Sequence, residues 1–142
     1  MVEIALALAV IGVAMVSIIG LMGVALDATK DANDDNRIGI IVNQVMADRS
    51  GSPFDANSAL FGIMGLVSNA TYSATAPIYF LKSGTYTNAT SAAGTYYRIR
   101  VSVSTNDFAP SAAKLALRVE YPANAARTNV SYFSTIIARS KP

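Results

Sequence analysis

The sequence predicts an α+β fold, in which a long N-terminal α-helix packs through its second half on a C-terminal antiparallel β-sheet. Residues 4–26 are apolar and uncharged, residues 38–45 carry an apolar stripe at helical spacing, and residues 96–121 contain two segments of apolar–polar alternation. The first pattern is typical of a membrane-length helix and the second of an amphipathic helix. The third is typical of strands with one face in water.

The first element is an apolar helix that begins near Val2. Its uncharged run, Ile4 to Leu26, has 23 residues. At about 1.5 Å per residue it spans roughly 30–35 Å, enough to cross the hydrocarbon core of a bilayer. A secretory signal peptide would have a basic n-region and a shorter apolar stretch. Glu3 directly precedes the run, and a carboxylate at this place is costly unless a cation pairs with it.

The helix continues as an amphipathic second half. Four apolar residues recur at i, i+3, i+4 and i+7 and so share one face: Ile38, Ile41, Val42 and Val45. No proline occurs before Pro53, so one helix from about Val2 to Ala47 is permitted. Residues 48–53 (DRSGSP) then supply a stop, because Gly51 breaks a helix and Pro53 cannot continue it.

The C-terminal part is predicted to be β-rich. Residues 54–94 form a linker-like stretch with one strand at residues 77–82. In residues 96–104 and 115–121 apolar side chains alternate with polar ones, and residues 132–138 make a final strand. The apolar sheet face needs a cover, which the amphipathic stripe provides. We therefore expect the first half of the helix to protrude.

These elements predict three parts: an apolar helix at 1–26, an amphipathic helix half at 27–49 and a globular β-rich head at 50–142. An exposed apolar rod of this area must sit in lipid or against copies of itself. The sequence therefore narrows the function to anchoring or assembly.

Charge and composition exclude several classes of function. Between residues 27 and 55 six aspartates oppose three basic residues, a net −3, whereas from residue 82 onward eight basic residues oppose two acidic ones, a net +6. Such a basic surface attracts anions, but no motif supports nucleic-acid binding. The chain has no cysteine and no histidine, which removes thiolate nucleophiles, the common zinc sites and the usual general base. We expect no enzyme, no metal and no cofactor.

Residues 2–12 (VEIALALAVIG) resemble the start of a mature type IV pilin or type II secretion pseudopilin. In those families an apolar helix carries one glutamate near its start and continues as an amphipathic half packed on an antiparallel sheet. The resemblance is direct over residues 1–26 and architectural beyond them. Residues 118–139 are also similar to pilin-like proteins of the Verrucomicrobia. The resemblance implies a structural subunit of an extracellular type IV pilus-like filament, formed with copies of itself.

The resemblance also implies partners and a route to the cell surface. A prepilin peptidase would remove a short leader and methylate the new N-terminal amine, and the subunit would wait in the cytoplasmic membrane. A pilus assembly platform driven by an ATPase would then extract it into the filament. Adhesion, motility, DNA uptake and secretion all remain open as the task of that filament.

The family's glutamate corresponds to Glu3, which would pair with the N-terminal amine of a neighbouring subunit and set the register. The alternative is a carboxylate at the membrane interface. The family glutamate is normally the fifth mature residue and here is the third. Either Met1 stands in place of the expected N-terminal residues, or the mature end is unusual.

The family's mid-helix proline is absent. Three glycines lie in the apolar run instead: Gly12, Gly20 and Gly23. They could let the helix loosen on assembly, which we expect between the first and the last of them, or the helix could stay continuous. They also offer small surfaces for close helix approach, although chance in an Ala- and Gly-rich membrane segment explains them equally well.

Two further sets of polar residues have competing interpretations. Four aspartates follow the apolar run: Asp27, Asp31, Asp34 and Asp35. They lack the glycine-containing loop of a calcium hand, so an acidic collar that pairs with basic residues of neighbouring subunits is favoured. Acceptor patterns for N-glycosylation begin at Asn69, Asn88 and Asn129, and chance matches are expected in so Asn-, Ser- and Thr-rich a chain.

The main hypothesis is a major pilus subunit, and two alternatives stay beside it. A pseudopilin or minor pilin would share the fold without polymerising alone. A membrane-anchored adhesion or binding head would never polymerise, and Glu3 would then hardly matter.

Overall fold

The computed structural model describes residues 2–66, 71–72, 76–88, 91, 93–104 and 112–138. It has the predicted α+β architecture, a long N-terminal helix and an antiparallel sheet. The elements are α1 (Val2–Ser50), β1 (Thr71–Tyr72), β2 (Ile78–Phe80), β3 (Tyr86–Thr87), β4 (Tyr97–Ser104), β5 (Ala112–Tyr121) and β6 (Asn129–Ala138). The chain divides into two compact units, Met1–Asn36 and Arg37–Pro142.

The first unit consists of the N-terminal part of α1. Every residue from Val2 to Asn33 is exposed, and the segment is long and apolar enough to cross a membrane. Glu3 lies in the first turn of the helix, where a negative charge stabilises the positive end of the helix dipole. The Ser17 hydroxyl donates to the carbonyl oxygen of Val13 at 2.9 Å, so this polar side chain is satisfied within its own helix.

The second unit is built on an antiparallel sheet with the strand order β3-β2-β4-β5-β6, and β1 also pairs with β4. The long strands β4 and β5 pair from Arg98 opposite Glu120 to Ser104 opposite Lys114. Strand β6 pairs with β5 along ten residues, and in the described part of the chain it is the last strand on that side. The predicted alternation is confirmed, because one face of β4 and β5 is buried and the other carries the charges.

The predicted helix stripe forms the cover of this sheet. Its four residues, Ile38, Ile41, Val42 and Val45, are all buried. They share one core cluster with the inward side chains of the two long strands, among them Tyr97, Ile99, Leu115 and Leu117. The apolar face that recurs every 3.6 residues on the helix thus packs against the apolar face that recurs every two residues on the strands, as the sequence pattern predicted.

The linker-like interpretation of residues 54–94 was wrong for its first part, because that part contributes to the core. Ile63 and Leu66 are fully buried in the cluster. Gly65 passes so close to the backbone of Asp55 that an added Cβ would lie 2.4 Å from its carbonyl oxygen. Residues 54–66 contain six large apolar residues, but the segment forms neither a helix nor a strand, so no period identifies the two that are fully buried.

The last turn of α1 holds this segment in place. The Asp48 carboxylate accepts the backbone N–H groups of Leu60 at 3.0 Å and Phe61 at 3.1 Å. The fully buried Arg49 guanidinium donates to three backbone carbonyl oxygens at 2.7–2.8 Å, those of Pro53, Phe54 and Ala56. Burial lowers the pKa of Arg49, and the neighbouring carboxylate of Asp48 opposes this effect. The helix therefore ends at Ser50 with its final side chains fixing the chain that follows.

Truncating a helix residue that faces the sheet will destabilise the second unit, whereas truncating its outward neighbour will not. Ile41 is 0% exposed and Ile40 is 59% exposed. We expect Ile41→Ala to lower the free energy of unfolding by about 2–4 kcal/mol, because it leaves a cavity. Ile40→Ala should change it by less than about 0.5 kcal/mol. Urea titration of the full chain in detergent measures both, and equal effects would contradict this packing.

Candidate functional site

The exposed apolar segment, residues 2–26 of α1, is the first candidate surface. Its large side chains are all more than half exposed. A Cβ added at Gly12, Gly20 or Gly23 would meet nothing within 4 Å, so no contact in the described part of the chain requires glycine there. All three glycines lie within the helix. Loosening on assembly stays a prediction.

The second candidate surface is an aspartate stripe on the same helix, formed by Asp27, Asp31 and Asp35. These residues are four apart, so they follow one face, and all three are exposed. Asp34 is buried and lies outside the stripe. Among the described residues, no cation forms an ion pair with any of the three carboxylates of the stripe. The same part of the chain contains no group of three His, Cys, Asp or Glu side chains able to hold a metal ion.

The third candidate surface is the outer face of the sheet, which is organised around one carboxylate. The Glu120 side chain is 3% exposed and forms ion pairs with three arginines. Arg98 binds its Oε2 atom through both Nε and a terminal nitrogen. The Nε atoms of Arg118 and Arg100 lie 2.9 and 3.6 Å from its Oε1 atom. We call these four residues the arginine–glutamate cluster.

The strand register explains why this cluster forms. Arg98 lies directly opposite Glu120, and Arg100 lies directly opposite Arg118. Like charges in direct opposition destabilise a sheet, and the carboxylate next to them offsets that repulsion. One glutamate cannot neutralise three arginines, however. The cluster keeps two positive charges in excess.

A groove of about 540 Å³ lies beside the cluster on the same face. We call it the basic groove, and its polar lining consists of Arg100, Arg118, Lys114, Ser102, Ser134 and Tyr132. Tyr132 is 72% exposed, so its ring forms an open wall. Three cations, two small hydroxyl groups and an aromatic ring suit a ligand that carries several carboxylates or other anions.

The sequence pattern predicted the charged face of these strands but neither the cluster nor the groove. The alternation in RIR (98–100) and RVE (118–120) places the charges on one face. It does not say which residue of β4 lies opposite which residue of β5. That register depends on the connection between the two strands, and residues 105–111 (TNDFAPS) contain turn-favouring residues but no two-residue hairpin signal that would fix it.

The remaining predicted site residues are distributed along the chain. Met1 and Asn69 lie outside the described residues. Asn88, which follows β3, and Asn129, which begins β6, are both exposed. Glycosylation of these residues and the pairing of Glu3 with an N-terminal amine both stay predictions.

Comparison with known proteins does not extend this description. No protein-family model, no curated protein and no solved structure matches the chain.

Removing the charge of Glu120 will destabilise the second unit through repulsion among the arginines. We expect Glu120→Gln to lower the free energy of unfolding by about 1–3 kcal/mol, because it leaves three close cations without a counter-charge. The loss should shrink at high salt, where the exposed guanidinium groups are screened.

Asp35→Asn is the matched control, because it also removes one carboxylate charge but at an exposed position with no ion pair among the described residues. Urea titrations of the full chain in detergent at about 0.05 M and about 0.5 M salt, a roughly tenfold contrast in ionic strength, make the comparison. A Glu120→Gln variant as stable as Asp35→Asn would show that the cluster contributes nothing.

Proposed function

We propose that this chain is a structural subunit of an extracellular filament of the type IV pilus kind. It is anchored in a membrane by residues 2–26 before assembly and buried through the same residues among copies of itself afterwards. The observation that carries the proposal is the exposure of this apolar segment along its whole length. The resemblance of residues 2–12 to mature pilins supports the same function.

The energetics of such a segment distinguish anchoring from assembly. Transfer from water into lipid is driven by the hydrophobic effect. Transfer from lipid into a bundle of like helices gains little hydrophobic energy, because lipid tails are as apolar as leucine. Close packing and polar contacts must therefore decide whether helices associate. The three glycines suit close packing, and Glu3 is the polar group at the start of the segment.

Glu3 has a role in this proposal that a simple anchor would not need. In a bundle of apolar helices, a carboxylate is stable only with a cation, and the N-terminal amine of a neighbouring copy is that cation. Removing one partner of a buried ion pair costs on the order of 3–5 kcal/mol. A single polar contact also selects one register among many that are equally apolar.

Filament formation tests this proposal, and a Glu3→Ala strain tests the role of the carboxylate. We expect material sheared from expressing cells to contain filaments with bundled N-terminal helices by electron cryomicroscopy. Glu3→Ala should reduce their yield at least about tenfold, the equivalent of about 1.4 kcal/mol per contact. The membrane content of the subunit should not fall.

Ser17→Ala is the control for this substitution. Ser17 is an exposed polar residue of the same segment that bonds only to its own helix among the described residues, so its removal should leave the filament yield unchanged. Membrane-bound monomer in every strain, with no filaments, would overturn the proposal in favour of a non-polymerising anchored head.

A further inference from the structure

We propose that the basic groove of one copy binds the aspartate stripe of a second copy. This inference rests on the proposed assembly of the chain with itself and names the residues that make one lateral contact. Arg100, Lys114 and Arg118 provide the cations, and the stripe, Asp27, Asp31 and Asp35, provides the anions.

The groove holds positive charge that the described part of its own chain does not neutralise. Glu120 contacts Arg100 and Arg118 through their Nε atoms, which leaves the two terminal nitrogens of each guanidinium for another acceptor. Lys114 lies farther along the same face and has no ion pair among the described residues. Because Glu120 holds the Nε atom of Arg118 at 2.9 Å, the free end of this guanidinium is partly ordered, and a second carboxylate binds it with a smaller loss of side-chain entropy.

The aspartate stripe carries negative charges that repel one another and that cations would stabilise. Like charges at i and i+4 destabilise a helix by a few tenths of a kcal/mol per pair, and the stripe contains two such pairs. A row of cations placed along it would offset both repulsions with attractive charge pairs. The Ser102 hydroxyl donates to the carbonyl oxygen of Ala116 at 3.4 Å, whereas the Ser134 hydroxyl lines the groove and can donate to a carboxylate oxygen between the cations.

The two surfaces also match in length. Asp27 and Asp35 are eight residues apart on a helix, about 12 Å at 1.5 Å per residue. Lys114 and Arg118 are four residues apart on a strand, about 13 Å at 3.3 Å per residue. The outer carboxylates of the stripe can therefore contact Lys114 at one end and the arginine pair at the other. Tyr132, open to solvent beside them, offers a ring on which the helix backbone and Cβ atoms can pack.

Cross-linking tests whether the two surfaces meet. The chain has no cysteine, so a single introduced thiol is unique. Asp31→Cys lies in the middle of the stripe and leaves its outer carboxylates, whereas Ser134→Cys lies in the groove and leaves every cation. Co-expressed full chains, one variant carrying a size tag, should give a mixed disulfide dimer under mild oxidation in membranes or sheared filaments. Because each chain has one thiol, this link cannot form within a chain.

Asn124→Cys is the control for the groove position. It places a thiol at another exposed site of the second unit that does not line the groove. We expect its mixed dimer with Asp31→Cys to be at least about tenfold less abundant. Equal yields for the two positions would overturn the proposal.

Charge reversal gives an independent test. Lys114→Glu leaves the arginine–glutamate cluster intact and should reduce filament yield about tenfold, because like charges would meet at each copy of the contact. Arg127→Glu makes the same change in net charge at an exposed residue away from the groove and should leave the yield near wild type.

A second substitution should restore the loss. We expect only one of the two substitutions Asp27→Lys and Asp35→Lys to recover the filament yield when it is combined with Lys114→Glu. The end that restores assembly gives the direction in which the helix crosses the groove. Failure of both to restore it, together with no mixed dimer, would overturn the proposal.

These results separate the contact from the function on which it rests. Wild-type filaments without the mixed dimer and without an effect of Lys114→Glu would reject the contact and leave the filament proposal standing. A mixed dimer in membranes without filaments would support the contact and reject the filament. If Lys114→Glu assembles normally but the full chain loses binding to inorganic polyphosphate, the groove is a site for a free polyanion, and the proposed occupant is wrong.

Discussion

The physical constraint on which this chain depends is that residues 2–26 cannot remain in water. The segment is apolar, uncharged after Glu3 and exposed along its length. The core of the second unit does not include this segment, because the stripe on residues 38–45 closes that core. One helix therefore has an exposed apolar part and a part that covers the sheet, and its sequence changes from continuous to periodic hydrophobicity between them. The acidic stretch that follows the apolar run separates the two parts.

Much of the fold could be predicted because its elements have strong periodic patterns. The stripe on α1 and the alternation in β4 and β5 gave their buried faces without knowledge of tertiary contacts. Residues 54–66 could not be predicted in the same way. Their order depends on Asp48 and Arg49, which bind backbone atoms of the segment, and backbone partners leave no trace in the sequence of the segment that is bound. Because the segment forms neither a helix nor a strand, periodicity does not show which of its six large apolar residues are buried.

Some of the candidate surfaces could also be predicted from the sequence, and others could not. The apolar segment and the aspartates were visible in the sequence because their neighbours along the chain share their character. The arginine–glutamate cluster was not visible, because Glu120 pairs with Arg98, 22 positions away, through a register that the sequence leaves open. Charge balance between the parts of the chain indicated that two surfaces of opposite sign exist. The structure shows that three of the cations, Arg100, Lys114 and Arg118, line one groove beside Glu120.

Strand β6 has a consequence for handling this protein outside a cell. It is ten residues long, carries no charge and no proline, and has no described strand on its outer side. A strand of this kind offers unsatisfied backbone N–H and C=O groups in a regular row, which is the usual template for edge-to-edge aggregation. A head produced without residues 2–26 as a concentrated solution would therefore aggregate through β6. Lysine at Tyr132 or Ile136, which are exposed on the outer face of that strand, would make such a head soluble without touching the core.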